Sequence, residues 1–300
     1  MKRFIDSFSH ELLKMNKKEI INSIKLSEGR VIISEVIGTL QPLMVNISNA
    51  ELACAFGADI LLLNMFDVNN PLINGISVND KNEYIREIKR LTGRIVGINL
   101  EPVSSDKGIF ISKGRVASKE NAIKARDMGV NLILLTGNPN VGVTNKEIIN
   151  SIYNIKEAVG EDVIIFAGKM HSSGILNEQG NRVITLDDIK YFIDAGADGI
   201  LIPAPMTVPG ITVEYVKELI EYIHLRGILS ITSIGTSQEG SDEGTIRNIA
   251  LACKMAGADL HHIGDSGLAG VAIPENILTY SVAIRGKRHT YFRMAASINR

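Results

Sequence analysis

Cysteine is nearly missing from this 300-residue chain, which carries only Cys54 and Cys253. They sit in matching helical contexts, Leu52-Ala53-Cys54 and Leu251-Ala252-Cys253, and read as buried free thiols rather than a disulfide. Free thiols suit a reducing compartment. An excess of charge of one sign is also lacking: the formal net charge is −1, so no general field steers the surface toward nucleic acid or an anionic membrane. No apolar run approaches the ~18 residues of a membrane span, and the first residues are too polar for a signal peptide. A cytoplasmic location is therefore expected. Absent too is a glycine-rich dinucleotide turn. The first apolar run leads into Gly38-Thr39-Leu40-Gln41-Pro42, and no nucleotide cofactor is expected.

What the chain does have is a repeated phrase. Gly57-Ala58-Asp59-Ile60-Leu61, Gly129-Val130-Asn131-Leu132-Ile133, Gly196-Ala197-Asp198-Gly199-Ile200 and Gly257-Ala258-Asp259-Leu260 each close a helical stretch with glycine and open an apolar run. Glycine suits the left-handed residue after a helix, and a short apolar run reads as a strand buried on both faces. Filling the gaps between copies predicts eight strands over residues 31–37, 59–64, 94–101, 132–137, 162–169, 199–204, 228–233 and 260–264. Capping boxes predict helix starts at Ser48 with Glu51, Asp80 with Glu83 and Thr144 with Glu147, with simpler caps at Thr185 and Thr212 and a helix opening on Pro274. Asn16 with Glu19 predicts an extra N-terminal helix that covers the barrel bottom. Eight strands alternating with helices and no long linker predict one (β/α)₈ TIM barrel over residues 1–300. Residues 1–30 are its helical cap and 285–300 a C-terminal extension. The basic residues of that extension, Arg285, Lys287, Arg288, Arg293 and Arg300, read first as a solvated helix end. Docking onto the barrel, onto a second subunit or toward an anionic ligand are the alternatives.

In such a barrel the site forms at the C-terminal ends of the strands. Glu35, Asn64, Asn99, Glu101, Thr136, Lys169, His171, Ser233 and His262 collect there. Side chains alternate along a strand, so Asn99 and Glu101 share the face opposite Val96, Ile98 and Leu100 and point into the mouth. Lys169 and His171 share a face with Ala167. Of the two histidines on strand eight, His262 is the better inward candidate, because Gly264 and Ser266 share its face. Two chemistries fit. Lys169 attacks a carbonyl as a Schiff-base amine, with His171, Glu35 or Glu101 moving protons. Alternatively Glu101, His171 and His262 hold a divalent cation that polarises a carbonyl or enolate. Loops seven and eight, with Ser233, Gly235, Thr236, Gly264, Ser266 and Gly267, have the small residues and hydroxyls of a phosphate site. Residues 105–115, with Lys107, Lys113 and Arg115, and residues 177–182 are candidate lids or clamps.

The phrases Ser27-Glu28-Gly29-Arg30, Ser48-Asn49-Ala50-Glu51-Leu52-Ala53, Phe56-Gly57-Ala58-Asp59 and Ala167-Gly168-Lys169-Met170-His171 resemble those of a bacterial TIM-barrel family of uncharacterised reaction. Its genes tend to lie beside sugar-phosphotransferase transport genes, which implies a phosphorylated sugar or a product of one. The haloacid-dehalogenase-like label of some members implies an Asp-x-Asp-x-Thr/Val nucleophile motif, which this chain lacks. More distantly the chain is similar to phosphosugar aldolases and isomerases. Many of those place their lysine on strand six, where Pro203-Ala204-Pro205 stands here. Neither an Asp-Arg-Glu pattern on strand one nor a zinc-type His-x-x-x-His pair occurs.

The expected function is a barrel enzyme acting on a small phosphorylated carbonyl compound, as an aldolase-like lyase or an isomerase. A non-catalytic barrel that binds a sugar phosphate and reports it is the alternative. The expected partners are the small metabolite and further copies of the chain in a homo-oligomer, with no nucleic acid and no membrane.

Overall fold

A computed structural model describes residues 1–103, 111–172 and 179–300. Eight parallel strands close in sequence order into a barrel: β1 (Val31–Ile37), β2 (Ile60–Asn64), β3 (Ile95–Leu100), β4 (Leu132–Leu135), β5 (Ile164–Gly168), β6 (Gly199–Pro203), β7 (Leu229–Ile234) and β8 (Leu260–Ile263). A short helix α1 (Ser9–Leu12) and α2 (Lys17–Leu26) precede β1. The outer ring is α3 (Asn49–Ala55), α4 (Tyr84–Thr92), α5 (Lys119–Met128), α6 (Asn145–Val159), α7 (Leu186–Asp194), α8 (Val213–Leu225), α9 (Glu243–Ala256) and α10 (Pro274–Ala295). The (β/α)₈ architecture expected from the repeats is the one observed.

The helix starts follow local chemistry. Asn16, Ser48, Thr144, Thr185 and Thr212 each accept a backbone N–H through the side chain, and Pro274 opens α10. The expected box at Asp80 and Glu83 forms differently. Asp80 caps a single 3₁₀ turn, Lys81–Glu83, and α4 begins after it.

The repeated phrase has a mechanical role at the bottom of the barrel. Gly57, Gly129, Gly196 and Gly257 all take left-handed backbone, with φ of 104°, 98°, 106° and 97°. The Asp or Asn two residues later reaches sideways to the preceding strand. Asp59 accepts from Ile32 N–H at 2.8 Å, Asn131 from Val96 at 3.4 Å, Asp198 from Ile165 at 2.8 Å and Asp259 from Ser230 at 2.8 Å. Each copy thus ties an even strand to the odd strand before it and satisfies a buried N–H.

Each of the three aspartates also meets a cation: Lys17 and Lys156 at Asp198, His224 at Asp259, and Arg285 and Arg293 at Asp59. The last pair corrects the reading of the C-terminal extension as a solvated end. Arg285 and Arg293 are 6% and 1% exposed, docked beneath the barrel by the turn at Gly286, where φ is 72°. Phe4, Ile5, Leu12, Ile20 and Ile24 pack on the lowest inward residues, so the N-terminal segment plugs the bottom as expected. Cys54 and Cys253 are free and buried, and burial pushes both thiols up to about 11. Among the described residues no helix is long and apolar enough to cross a membrane.

His224 offers a pH test of the repeat. Its hydrogen bond to Asp259, 2.8 Å long, raises its pKa above the usual value, against an opposing effect of partial burial. A group whose pKa rises on folding stabilises fully below its unfolded value and loses that contribution as pH climbs through the folded value. His224→Gln should therefore lower the urea midpoint at pH 6 and match wild type at pH 9. With His224 42% exposed, the difference should stay below about 1 kcal/mol. A gap that is as large at pH 9 as at pH 6 would show that the pair does not act through charge.

Candidate active site

Strand parity decides what enters the barrel. Leu62, Leu134, Phe166, Leu201 and Ile231 form the inner cluster, whereas Leu63, Leu135, Ala167, Ile202 and Ile234 pack against the helices. Continuing the inner parity toward the C-terminal ends brings Glu35, Asn64, Asn99, Thr136, Ser233 and His262 to the mouth. These positions close over the apolar interior as a polar floor. Above them lies a cavity of about 350 Å³ lined by Glu35, Asn64, Asn99, Glu101, Arg115, Thr136, His171, Gly235, Glu239, Gly264, Asp265 and Ser266, among others. Most of the expected site residues therefore meet in one place.

Two further acids complete the centre. Asp265 accepts from Asn64 Nδ2 at 2.8 Å, and burial, with Glu35 nearby, pushes its carboxyl up to about 6. Glu239 is fully buried in the loop after β7, and burial raises its carboxyl as well. His262 faces inward as expected. Its Nδ1 is 2.7 Å from Ser233 Oγ, and its Nε2 is 3.1 Å from Glu35 Oε2. His261 faces the helices, with Nε2 on Gly29 O and Nδ1 near Tyr280, and burial lowers it to about 4. Its role is packing.

Glu239 and Asp265 are not among the site residues expected from the sequence. The available signal was their number, since carboxyls crowded into one mouth are a usual sign of tuned proton chemistry.

Lys169 needs a correction. It directly follows β5, and Ala167, whose face it shares, packs in the helix layer rather than in the barrel. The inner parity belongs to Gly168 and Met170, and Met170 packs against the inner cluster. Lys169 is buried and is not among the residues that line the cavity. His171 does line it, and burial lowers its pKa, favouring neutral imidazole.

The set Glu101, His171 and His262 is not gathered as a metal centre. Glu101 is paired with Arg115 and His262 with Ser233 and Glu35. Among the described residues no group of three His, Cys, Asp or Glu side chains is arranged to hold a metal ion.

The phosphate corner is also filled from within. Ser266 N–H donates to Glu239 Oε1 at 3.1 Å, Gly264 N–H to Ile234 O and Leu268 N–H to Val271 O. The Ser233 hydroxyl lies on His262, and the Thr236 hydroxyl donates to Gln238 Oε1 at 2.6 Å. Gly264 is required for a different reason than a phosphate: a Cβ there would stand 2.9 Å from Glu239 Oε1 and 2.7 Å from Ile234 O. Glu239 occupies the place expected for a bound anion. Gly267 packs against residues 271–273 and Gly240, and its tight backbone closes loop eight. Of the candidate clamps, Arg115 is paired with Glu101 and Lys113 is exposed, while Lys107 lies outside the described residues; of the candidate lid 177–182, residues 177–178 lie outside them and Gly180–Arg182 forms a 3₁₀ turn.

Comparisons place this geometry in context. A family model described as a domain of unknown function, DUF7916, matches residues 5–300. No curated protein matches the chain. Among solved structures, the carboxyl transferase domain from Rhizobium etli pyruvate carboxylase is 15% identical, with a TM-score of 0.56 over 95% of this chain and 51% of that one. A variant of the same domain with pyruvate is 14% identical, with a TM-score of 0.58 over 96% of this chain and 51% of that one. The chain thus spans about half the length of these structures, and at this identity they share its fold alone.

Proposed function

The chain belongs to the DUF7916 family, which brings no assigned reaction, and from its own site we propose that it is an enzyme moving protons on a small polyhydroxylated carbonyl compound, as an isomerase or a lyase. The observation that carries this reading is the carboxyl of Asp265, pushed up to about 6 on the wall of a buried cavity that it shares with Glu35 and Glu239. A base poised near neutrality is what abstraction of a proton beside a carbonyl requires.

In the first step the Asp265 carboxylate takes a proton from the carbon next to the carbonyl, and the electron pair moves onto the carbonyl oxygen. Neutral His171, which lines the same cavity, donates a hydrogen bond to that developing oxyanion. Returning the proton to the former carbonyl carbon, while the proton of the hydroxyl on the deprotonated carbon passes to the former carbonyl oxygen, gives isomerisation. Running the same electron flow from a neighbouring hydroxyl breaks a C–C bond. Glu35, His262 and Ser233 form the buried chain that sets the charge facing Asp265 and so positions its proton. The phosphorylated substrate suggested by resemblance loses its expected anchor, because Glu239 already accepts from loop eight.

The test is incorporation of solvent deuterium next to the carbonyl of a panel of small aldoses and ketoses, followed by mass spectrometry. Incorporation should occur with at least one member and should increase with pH through about 6. A protein that binds a panel member tightly yet incorporates no deuterium is a reporter of that ligand, not an enzyme of this class.

A further inference from the structure

Unpartnered acceptors outnumber unpartnered donors among the described residues that line the cavity, where Arg115 Nε is the donor. Glu35 Oε1, Glu239 Oε2 and Asn99 Oδ1 are buried without a hydrogen-bond partner among the described residues. They come from three elements: β1, the loop after β7, and β3. All three residues line the cavity. The orientation of Asn99 is dictated by its neighbours. Met65 N–H donates to Asn64 Oδ1 at 2.8 Å, which leaves Asn64 Nδ2 to donate to Asp265, and Asn99 Nδ2 approaches the same Asn64 Oδ1 at 3.4 Å. The Asn99 carbonyl is what remains, aimed into the cavity as an acceptor.

A buried acceptor left without a partner is costly, and more so when it is charged. Three at one site mark a ligand that brings donors. The charge points the same way. Glu35, Glu101, Glu239 and Asp265 line the cavity against one guanidinium, Arg115, which meets Glu101 through Nη2 and keeps Nε unpartnered. A phosphate placed among these carboxylates would be repelled by each. A protonated amine offers three N–H donors and the opposite charge.

We propose that the cavity is built for an amino-bearing polyhydroxy carbonyl compound, an amino sugar or its open-chain form, whose ammonium group is received by Glu35, Glu239 and the Asn99 carbonyl. The inference rests on the proton-transfer reading for the carbonyl, but the ammonium subsite stands on the unpartnered acceptors alone. It gives Glu239 a task that no proton-transfer step assigns.

The test compares matched hexosamines, parent hexoses and hexose 6-phosphates by calorimetry on the whole chain, beside Glu239→Gln. The hexosamine should bind at least tenfold more tightly than its parent hexose, and the phosphate should bind more weakly than both. Glu239→Gln should erase the amine preference, so that hexosamine and parent hexose bind within about threefold of each other. Equal affinity for hexose and hexosamine, preference for the phosphate, a panel without binding, or an undiminished preference in Glu239→Gln would each overturn the proposal. Deuterium incorporation is scored separately. Amine preference without incorporation keeps this subsite and removes the proton-transfer reading; incorporation into a phosphorylated sugar that outcompetes the amine does the reverse.

Discussion

Asp59→Asn should be among the most damaging single substitutions in this protein, lowering stability by about 3–5 kcal/mol as read from the urea midpoint. Asp59 is fully buried and accepts from Arg285 and from Arg293 Nε, the latter at 2.7 Å, with Arg94 packed beside them and bonded to Arg293 O. Removing the one carboxylate leaves three buried guanidinium groups without a counter-charge. Burial already lowers Arg293 to about 10 while Asp59 opposes that shift.

Asparagine is the informative replacement because the repeat contains its own control. Asn131 makes the equivalent clamp to Val96 with a neutral side chain, so the clamp itself does not need charge. The cost of Asp59→Asn is therefore the cost of charge. It should exceed that of Asp198→Asn, whose partner Lys17 is also buried but whose second cation, Lys156, is partly exposed 3.6 Å away, and far exceed that of Asp259→Asn, whose partner His224 is half exposed. Should Asp59→Asn fail to accumulate, adding Arg293→Met should restore soluble protein. Equal costs at all three aspartates would show that the clamps, and not the buried ion cluster, hold the barrel bottom.

The fold was legible because its signals are local and repeated. A left-handed glycine, a short clamp residue and an apolar run recur with the barrel, and each acts within a few residues of itself. The docking of the C-terminal extension was not legible, since a basic helix end looks the same in sequence whether it meets water or a buried aspartate 226 positions away.

The site was half legible, for a reason rooted in parallel sheets. A barrel strand is buried on both faces, so an apolar run does not say which parity is inside. On β3 the polar pair Asn99 and Glu101 broke the tie and both line the cavity. On β5 nothing did. Ala167 suits either face, and the side it takes is the helix layer, with Lys169 buried off the cavity and His171 on it. Glu239 and Asp265 lie beyond the strands, where parity has no authority. Only the folded chain shows that loop seven and loop eight turn them into the same cavity.

Asp265→Asn should separate chemistry from folding more sharply than any other change at the mouth. If Asp265 is the base, its loss should cost roughly 10²–10⁴ in turnover, read as deuterium incorporation. Stability should move the other way. A carboxyl whose pKa rises to about 6 on folding holds its proton more tightly in the native chain than in the unfolded one. The unfolded chain therefore ionises first as pH climbs, and native stability falls between about pH 4 and pH 6, with the full penalty of roughly 2–3 kcal/mol present above that window. Asparagine keeps an acceptor for Asn64 and removes the charge. The variant should therefore melt above wild type at pH 8 and match it below pH 4. Lys169→Met supplies the contrast, because a Schiff-base enzyme would lose all turnover there and tolerate Asp265→Asn. An Asp265→Asn protein that is both more stable at pH 8 and inactive would mark the mouth as a place where folding free energy is held in reserve for proton transfer. One that is less stable at pH 8 would mean that Asp265 is ionised for structure, and the assignment of the base would pass to Glu35.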